Sequence, residues 1–161
     1  MKYFKISFGI FIALAASRFI PHPPNLTSLL ALSFYVPALL GVRYLPALIV
    51  SFLITDFFIG FHSTMLFTWG SVIVIGLLAK YFLSSIFTRV SGALLGSLIF
   101  YIVTNFGVWT MGSYGYNVEG LIECYIMAIP FFVNTLISTF IFSAIIEAIN
   151  FHFKIEKLRN N

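Results

Sequence analysis

Charge is scarce in this sequence. Asp, Glu, Lys and Arg together make up 9% of its 161 residues, while 60% are apolar. A soluble domain of this length cannot cover so much apolar surface with so few charges. The mean hydropathy of +1.03 points the same way. Cysteine is nearly absent: Cys124 stands alone, which excludes an internal disulfide and any CxxC metal or redox motif. Nucleotide-binding and hydrolytic signatures are also missing, with no Walker sequence, no HExxH and no GxSxG. The chain therefore carries no ATPase of its own, and any energy-driven work needs a partner. The expectation is a protein that is not an enzyme, with no cofactor and no resident metal. The net charge of +4 is no nucleic-acid signature, because the basic residues are scattered singly or sit in the two tails.

What is present is apolar sequence cut into helix-sized pieces. The expected class is an all-α integral membrane protein of the cell membrane, a single transmembrane domain over residues 1–161. Six helices are expected, at roughly 4–18, 27–41, 45–61, 64–85, 91–110 and 122–151. Ala13-Leu14-Ala15 resembles a signal-peptidase site, so a cleaved signal is the alternative to a retained first helix. Gly9, Ala13 and Ser17 lie four apart, a small-residue ridge that would let another helix approach. Gly92 and Gly96 form a second such ridge, best explained by packing. Three prolines within residues 21–24 break the chain after the first helix. Asn25 or Thr27 could cap the next helix there, or Asn25 could form a polar rim with Arg18 and His22. The last segment exceeds the ~20 residues that a bilayer core needs, and Pro130 is expected to kink it.

The polar residues are not spread evenly. With six passes and a cytoplasmic N-terminus, Lys2, Lys5, Arg43, Lys80, Arg89, Lys154, Lys157 and Arg159 fall inside and only Arg18 outside, as the positive-inside rule asks. The three outer connections then hold nearly every costly polar group. Asp56 lies about 5 residues from the end of its apolar run, where a carboxylate needs a partner or water; Arg18 is one candidate. Ser97, Tyr101, Asn105 and Trp109 follow at four-residue steps, a stripe that suggests a cavity. Glu119, Glu123 and Asn134 share one face of the last segment, beside Tyr114 and Tyr116 in the preceding loop.

Several stretches carry a family resemblance. They are Ala16-Ser-Arg-Phe-Ile-Pro-His-Pro-Pro-Asn25, residues 51–62, Thr104-Asn-Phe-Gly-Val-Trp109, Gly120-Leu-Ile-Glu-Cys-Tyr125 and Ile129-Pro-Phe-Phe-Val-Asn-Thr135. The chain resembles a family of small prokaryotic membrane proteins that is similar to the substrate-binding S components of energy-coupling factor (ECF) vitamin transporters. The resemblance implies a six-helix subunit that captures a small vitamin-like molecule on the outer side. It also implies a transmembrane coupling protein with ATPase subunits as partner, docked on small residues of the first helix, here Gly9, Ala13 and Ser17.

On that reading Trp109, Tyr114 and Tyr116 stack on a planar ring. Asn105, Asn134, Glu119 and Glu123 take its polar edges, and Arg18, His22, Asn25, Asp56 and His62 complete the rim. Two other classes remain: an enzyme at the outer interface built on Asp56, a histidine and the glutamates, and a ligand-free structural protein. A capture subunit requires a cavity lined by Trp109 and Asn134. An enzyme requires Asp56 or a glutamate hydrogen-bonded to a histidine, and a structural protein requires no cavity.

Overall fold

The computed structural model describes residues 2–155; Lys157 and Arg159, counted above as inner charges, lie outside the described residues. The described chain is helical throughout: α1 (Lys2–Phe19), α2 (Leu29–Tyr35), α3 (Leu45–Ile59), α4 (Met65–Leu78), α5 (Ile86–Thr110), α6 (Val118–Met127) and α7 (Ile129–Phe153). Three stretches, Val42–Ile59, Ile86–Thr110 and Ile129–Phe153, are long and apolar enough to cross a membrane. The outer surface fits that solvent. Phe4, Phe58, Leu66, Phe87 and Phe151 are each more than 70% exposed. This is a membrane protein, since water would not tolerate such a surface on a monomer.

The bundle is built around α2. Every residue from Ser28 to Leu39 is buried, and α2 touches α1, α3, α4, α5 and α7. A helix that is apolar all round belongs inside. At ~1.5 Å per residue it is too short to cross ~30 Å of hydrocarbon alone, and enclosure by its neighbours removes that need. Pro37 has no N–H to give its own helix. The chain answers by widening into a π-helical turn, Val36–Leu40, which Gly41 ends at φ 98°.

Local signals set the other boundaries. Ser85 and Thr88 form a reciprocal capping box, so α5 starts at Ile86 and not at residue 91. The expected helix over 122–151 is two helices. Asn117 caps α6 through a 2.7 Å bond from the Gly120 N–H, which moves the start to Val118. Pro130 cannot bond back to Ile126, so the chain breaks at Ala128 and Pro130 falls in the first turn of α7. Gly120 permits the α6 start for a second reason. A Cβ there would stand 1.9 Å from the Tyr114 carbonyl oxygen.

Close packing supplies the rest. Gly92 lies against Phe34 of α2 and Gly96 against Ile75 of α4, so the second glycine ridge is internal packing. Ser33, Ser51, Ser71, Thr104 and Thr135 each donate to the carbonyl four residues back, which satisfies their hydroxyls without water.

Two buried ion pairs mark the two ends of the bundle. At one end Arg18 of α1 bonds Asp56 of α3 at 2.6 Å. At the other, Arg89 of α5 meets Glu147 of α7 through two bonds, 2.6 Å from Nε and 2.8 Å from Nη2. Arg89, expected as a solvated inner charge, is thus buried in a bidentate pair. Glu147 carries no sequence signal beyond being a carboxylate in an apolar run. Tyr3 bonds the Arg43 carbonyl, so the start of α1 lies beside the start of α3. Ser97 bonds Thr139 midway along α5 and α7, fixing those helices antiparallel.

Candidate functional site

The Arg18–Asp56 end holds the site. The candidate is a hollow of about 260 Å³ with a mostly apolar lining and a few polar side chains, among α4, α5, the α6–α7 joint and the 20–28 connection. Asn25, Thr68, Tyr101, Thr104, Asn105 and Thr135 supply its polar lining. Phe100, Val108, Ala128, Phe131 and Phe132 supply the rest. The volume is near the lower end for small-molecule pockets, and the mix of aromatic walls with a few placed polar groups is typical of them.

Each wall has a local cause. The α6–α7 break at Ala128 lies on the hollow, and Ala128 is part of its lining. Tyr101 and Phe132 stack on each other at 4.5 Å with planes 28° apart, so this side of the lining is aromatic. Tyr101 is fixed by donating to the Tyr125 carbonyl at 2.6 Å. Asn105 is held on α5 by a 2.7 Å bond from its amide to the Tyr101 carbonyl. The proline-rich connection forms the rim. Asn134 of α7 donates to the Pro24 carbonyl at 3.0 Å, and Ser138 to the Asn25 carbonyl at 3.3 Å. Asn25 takes φ 63°, a conformation that asparagine tolerates better than most residues.

The expected site residues divide into separate places. Asn25 and Asn105 line the hollow; Asn134 does not line it but pins its rim. Asn25 is not a helix cap, since the position before α2 is Ser28, which makes no side-chain cap bond. Arg18 and Asp56 are committed to each other. Arg18 also bonds Thr55 and lies 4.7 Å from the Phe52 ring centre. The second Asp56 oxygen takes the Trp69 indole N–H at 2.7 Å. That buried pair is a clamp joining α1, α3 and α4, and it leaves Asp56 no free oxygen for a ligand.

Trp109 is also outside the hollow. It packs on Phe106 and on the edge of Tyr116, at 5.6 and 6.3 Å. Trp109, Tyr114 and Tyr116, expected to stack on a ring, are not in the lining, whose aromatic residues are Phe100, Tyr101, Phe131 and Phe132; the 110–117 loop folds back on the end of α5, with Tyr116 bonding the Thr110 carbonyl. Tyr116, Glu119 and Glu123 are exposed. Glu119 sits in the first turn of α6, where a negative charge favours the helix dipole.

The histidines are elsewhere. His22 Nδ1 lies 2.7 Å from the Pro23 carbonyl and His62 Nδ1 3.0 Å from Thr64 Oγ1. Among the described residues neither pairs with a carboxylate, and no three His, Cys, Asp or Glu side chains gather closely enough for a metal.

Sequence reasoning missed Thr68, Thr104 and Thr135 as lining. Their signal was faint: three threonines near the same end of three apolar helices, level with Asn105.

A second hollow lies at the Arg89–Glu147 end. It is an open, apolar groove of about 290 Å³ among α1, α2 and α7, floored by Ile6, Gly9, Ile10 and Ala13 on one side and Ile146 and Ile149 on the other. Gly9 has open space where a side chain would stand. Ser17 does not share that face: it bonds Ser28 at 2.7 Å and is used inside the bundle. The small-residue ridge is thus split, with two of its three members on the groove.

The model for a family of unknown function (DUF6580) matches residues 2–158. No curated protein and no solved structure matches the chain.

Proposed function

The chain belongs to the DUF6580 family, and from that premise we propose that it is the substrate-binding subunit of an uptake system in the cell membrane. It crosses the membrane six times, with α1 to α5 and α7 as the spans, α6 lying within the outer half, and both termini in the cytoplasm. The hollow then faces outward, and the basic residues Lys5, Arg43, Lys80 and Lys154 sit inside. The hollow receives a small, vitamin-like molecule. A separate transmembrane coupling protein with ATPase subunits supplies the energy, as in the S components that the sequence resembles.

The observation that carries this reading is the hollow itself, although Trp109 and Asn134, expected to line it, stand outside its lining. Polar side chains at membrane depth are expensive. Here Thr68, Tyr101, Thr104, Asn105 and Thr135, each bonded to a backbone carbonyl, still line one space of about 260 Å³ at the same end of the bundle. An interfacial enzyme is disfavoured because Asp56 is committed to Arg18 and Trp69, and among the described residues neither His22 nor His62 pairs with a carboxylate. The apolar groove with Gly9 and Ala13 is the place for the coupling partner's helix.

The test is purification of the tagged full chain from its native membranes. The expected result is co-purification of a membrane protein together with nucleotide-binding subunits, and loss of that complex, but not of the folded chain, in Gly9→Phe. A chain that purifies alone from freshly solubilised membranes, with no nucleotide-binding partner, contradicts the coupled-uptake reading.

A further inference from the structure

We propose that the molecule taken by the Asn105 hollow is uncharged and presents N–H or O–H donors from a single planar ring; this rests on the binding-site reading above. The inference follows from where the lining spends its own protons. A backbone carbonyl only accepts, so a hydroxyl bonded to one must donate. Thr104 Oγ1 lies 2.7 Å from the Phe100 carbonyl oxygen, Thr135 Oγ1 2.9 Å from that of Phe131, and Thr68 Oγ1 2.8 Å from that of Met65. Each proton is committed to its own helix, and each oxygen has only lone pairs left. The Tyr101 proton goes to Tyr125 in the same way. Asn105 spends one of its two N–H groups on Tyr101 and keeps its side-chain oxygen. Asn25 adds two N–H groups and one oxygen, so among the lining side chains six acceptor oxygens (Asn25, Thr68, Tyr101, Thr104, Asn105, Thr135) stand against three uncommitted N–H groups (two on Asn25, one on Asn105).

Charge settles the rest. No Lys, Arg, His, Asp or Glu lines the hollow. A carboxylate or phosphate would add acceptors to acceptors and bring a negative charge with no cation to meet it. An ammonium would find no carboxylate, because Asp56, the buried carboxylate at this end, is outside the lining and 1% exposed. A neutral amide or hydroxyl group supplies the missing donors at no such cost. Four aromatic side chains in the lining, Phe100, Tyr101, Phe131 and Phe132, suit a planar ring. About 260 Å³ is space for several waters at ~30 Å³ each, enough for one substituted ring.

The test uses three ring probes: benzamide, benzoate and N,N-dimethylbenzamide, the last lacking N–H donors and larger by two methyl groups. Each is titrated against the full-length protein in detergent micelles by saturation-transfer NMR, with Ala128→Phe as the control for partition into the micelle. The expected result is that benzamide binds about ten-fold or more tightly than either other probe, the discrimination that one or two hydrogen bonds give. Thr104→Val and Thr135→Val are near-isosteric, so each is expected to fold and to shrink that preference several-fold. Benzoate binding as well as benzamide overturns the ligand class and leaves the binding site standing. A preference unchanged in both valine variants also overturns it. If no probe, dimethylbenzamide included, gives a signal that Ala128→Phe removes, the binding site itself falls.

Discussion

Glu147→Ala is expected to destabilise the protein by about 3–5 kcal/mol, the largest effect of any single truncation in the bundle. Arg89 and Glu147 keep less than a tenth of their side-chain surface exposed, and their two bonds are short. Removing the carboxylate leaves a guanidinium that is always charged, buried beside Tyr35 and Ser143 without its anion. Neutralising both partners removes that penalty. The double change Arg89→Met, Glu147→Leu is therefore expected to regain most of the loss, even though it deletes the interaction entirely. Unfolding in mixed micelles with increasing SDS measures both. A double variant no better than Glu147→Ala would mean that the pair supplies net attraction and not merely mutual neutralisation.

Ala128→Phe is expected to abolish ligand binding, by a hundred-fold or more, while the bundle stays folded. Ala128 lines the hollow at the joint between α6 and α7 and is buried. A ring placed there occupies the space that the ligand needs. The backbone asks nothing of the side chain at this position, because the joint is made by Pro130 and by the Ala128 N–H bonding the Tyr125 carbonyl at 3.2 Å. Overpacking a closed core costs about 1–3 kcal/mol, and a hollow of this size lessens that cost. Equilibrium binding of whatever small molecule the wild-type protein retains on purification, alongside the melting temperature, separates the two effects. Unchanged binding in a folded Ala128→Phe protein would place the ligand elsewhere.

The class of the molecule was plain in its residues, because 20 phenylalanines and so few charges leave no other solvent. The helices were legible to within a few residues wherever proline or glycine punctuates the chain, as at Gly41 and Gly60. They were least legible where the punctuation is a side chain. The capping of α5 by Ser85 and of α6 by Asn117 moved two starts, because a capping residue is polar and reads as loop. Pro130 was read as a kink within one helix, although its missing N–H ends one helix and starts the next.

The site was legible by end but not by residue. Asn25, Asn105 and Tyr101 were visible as polar groups at one level. The charged residues drew attention first and do not line the hollow: Arg18 and Asp56 pair with each other, and Glu119 and Glu123 are exposed. In an apolar chain a charge is usually already neutralised. A threonine bonded back to its own helix is the quieter sign of a polar wall. Nothing in the order of residues says that Trp69 would complete Asp56, since that contact depends on how α3 and α4 cross.

Sidedness decides whether the hollow can capture anything from outside the cell. The direct measurement is Asn105→Cys in a Cys124→Ala background, treated in intact cells with a membrane-impermeant maleimide. Labelling from the outer solvent, slowed when the ligand is present, is the predicted result. Labelling only after the membrane is opened, or only by a lipid-soluble maleimide, would contradict it.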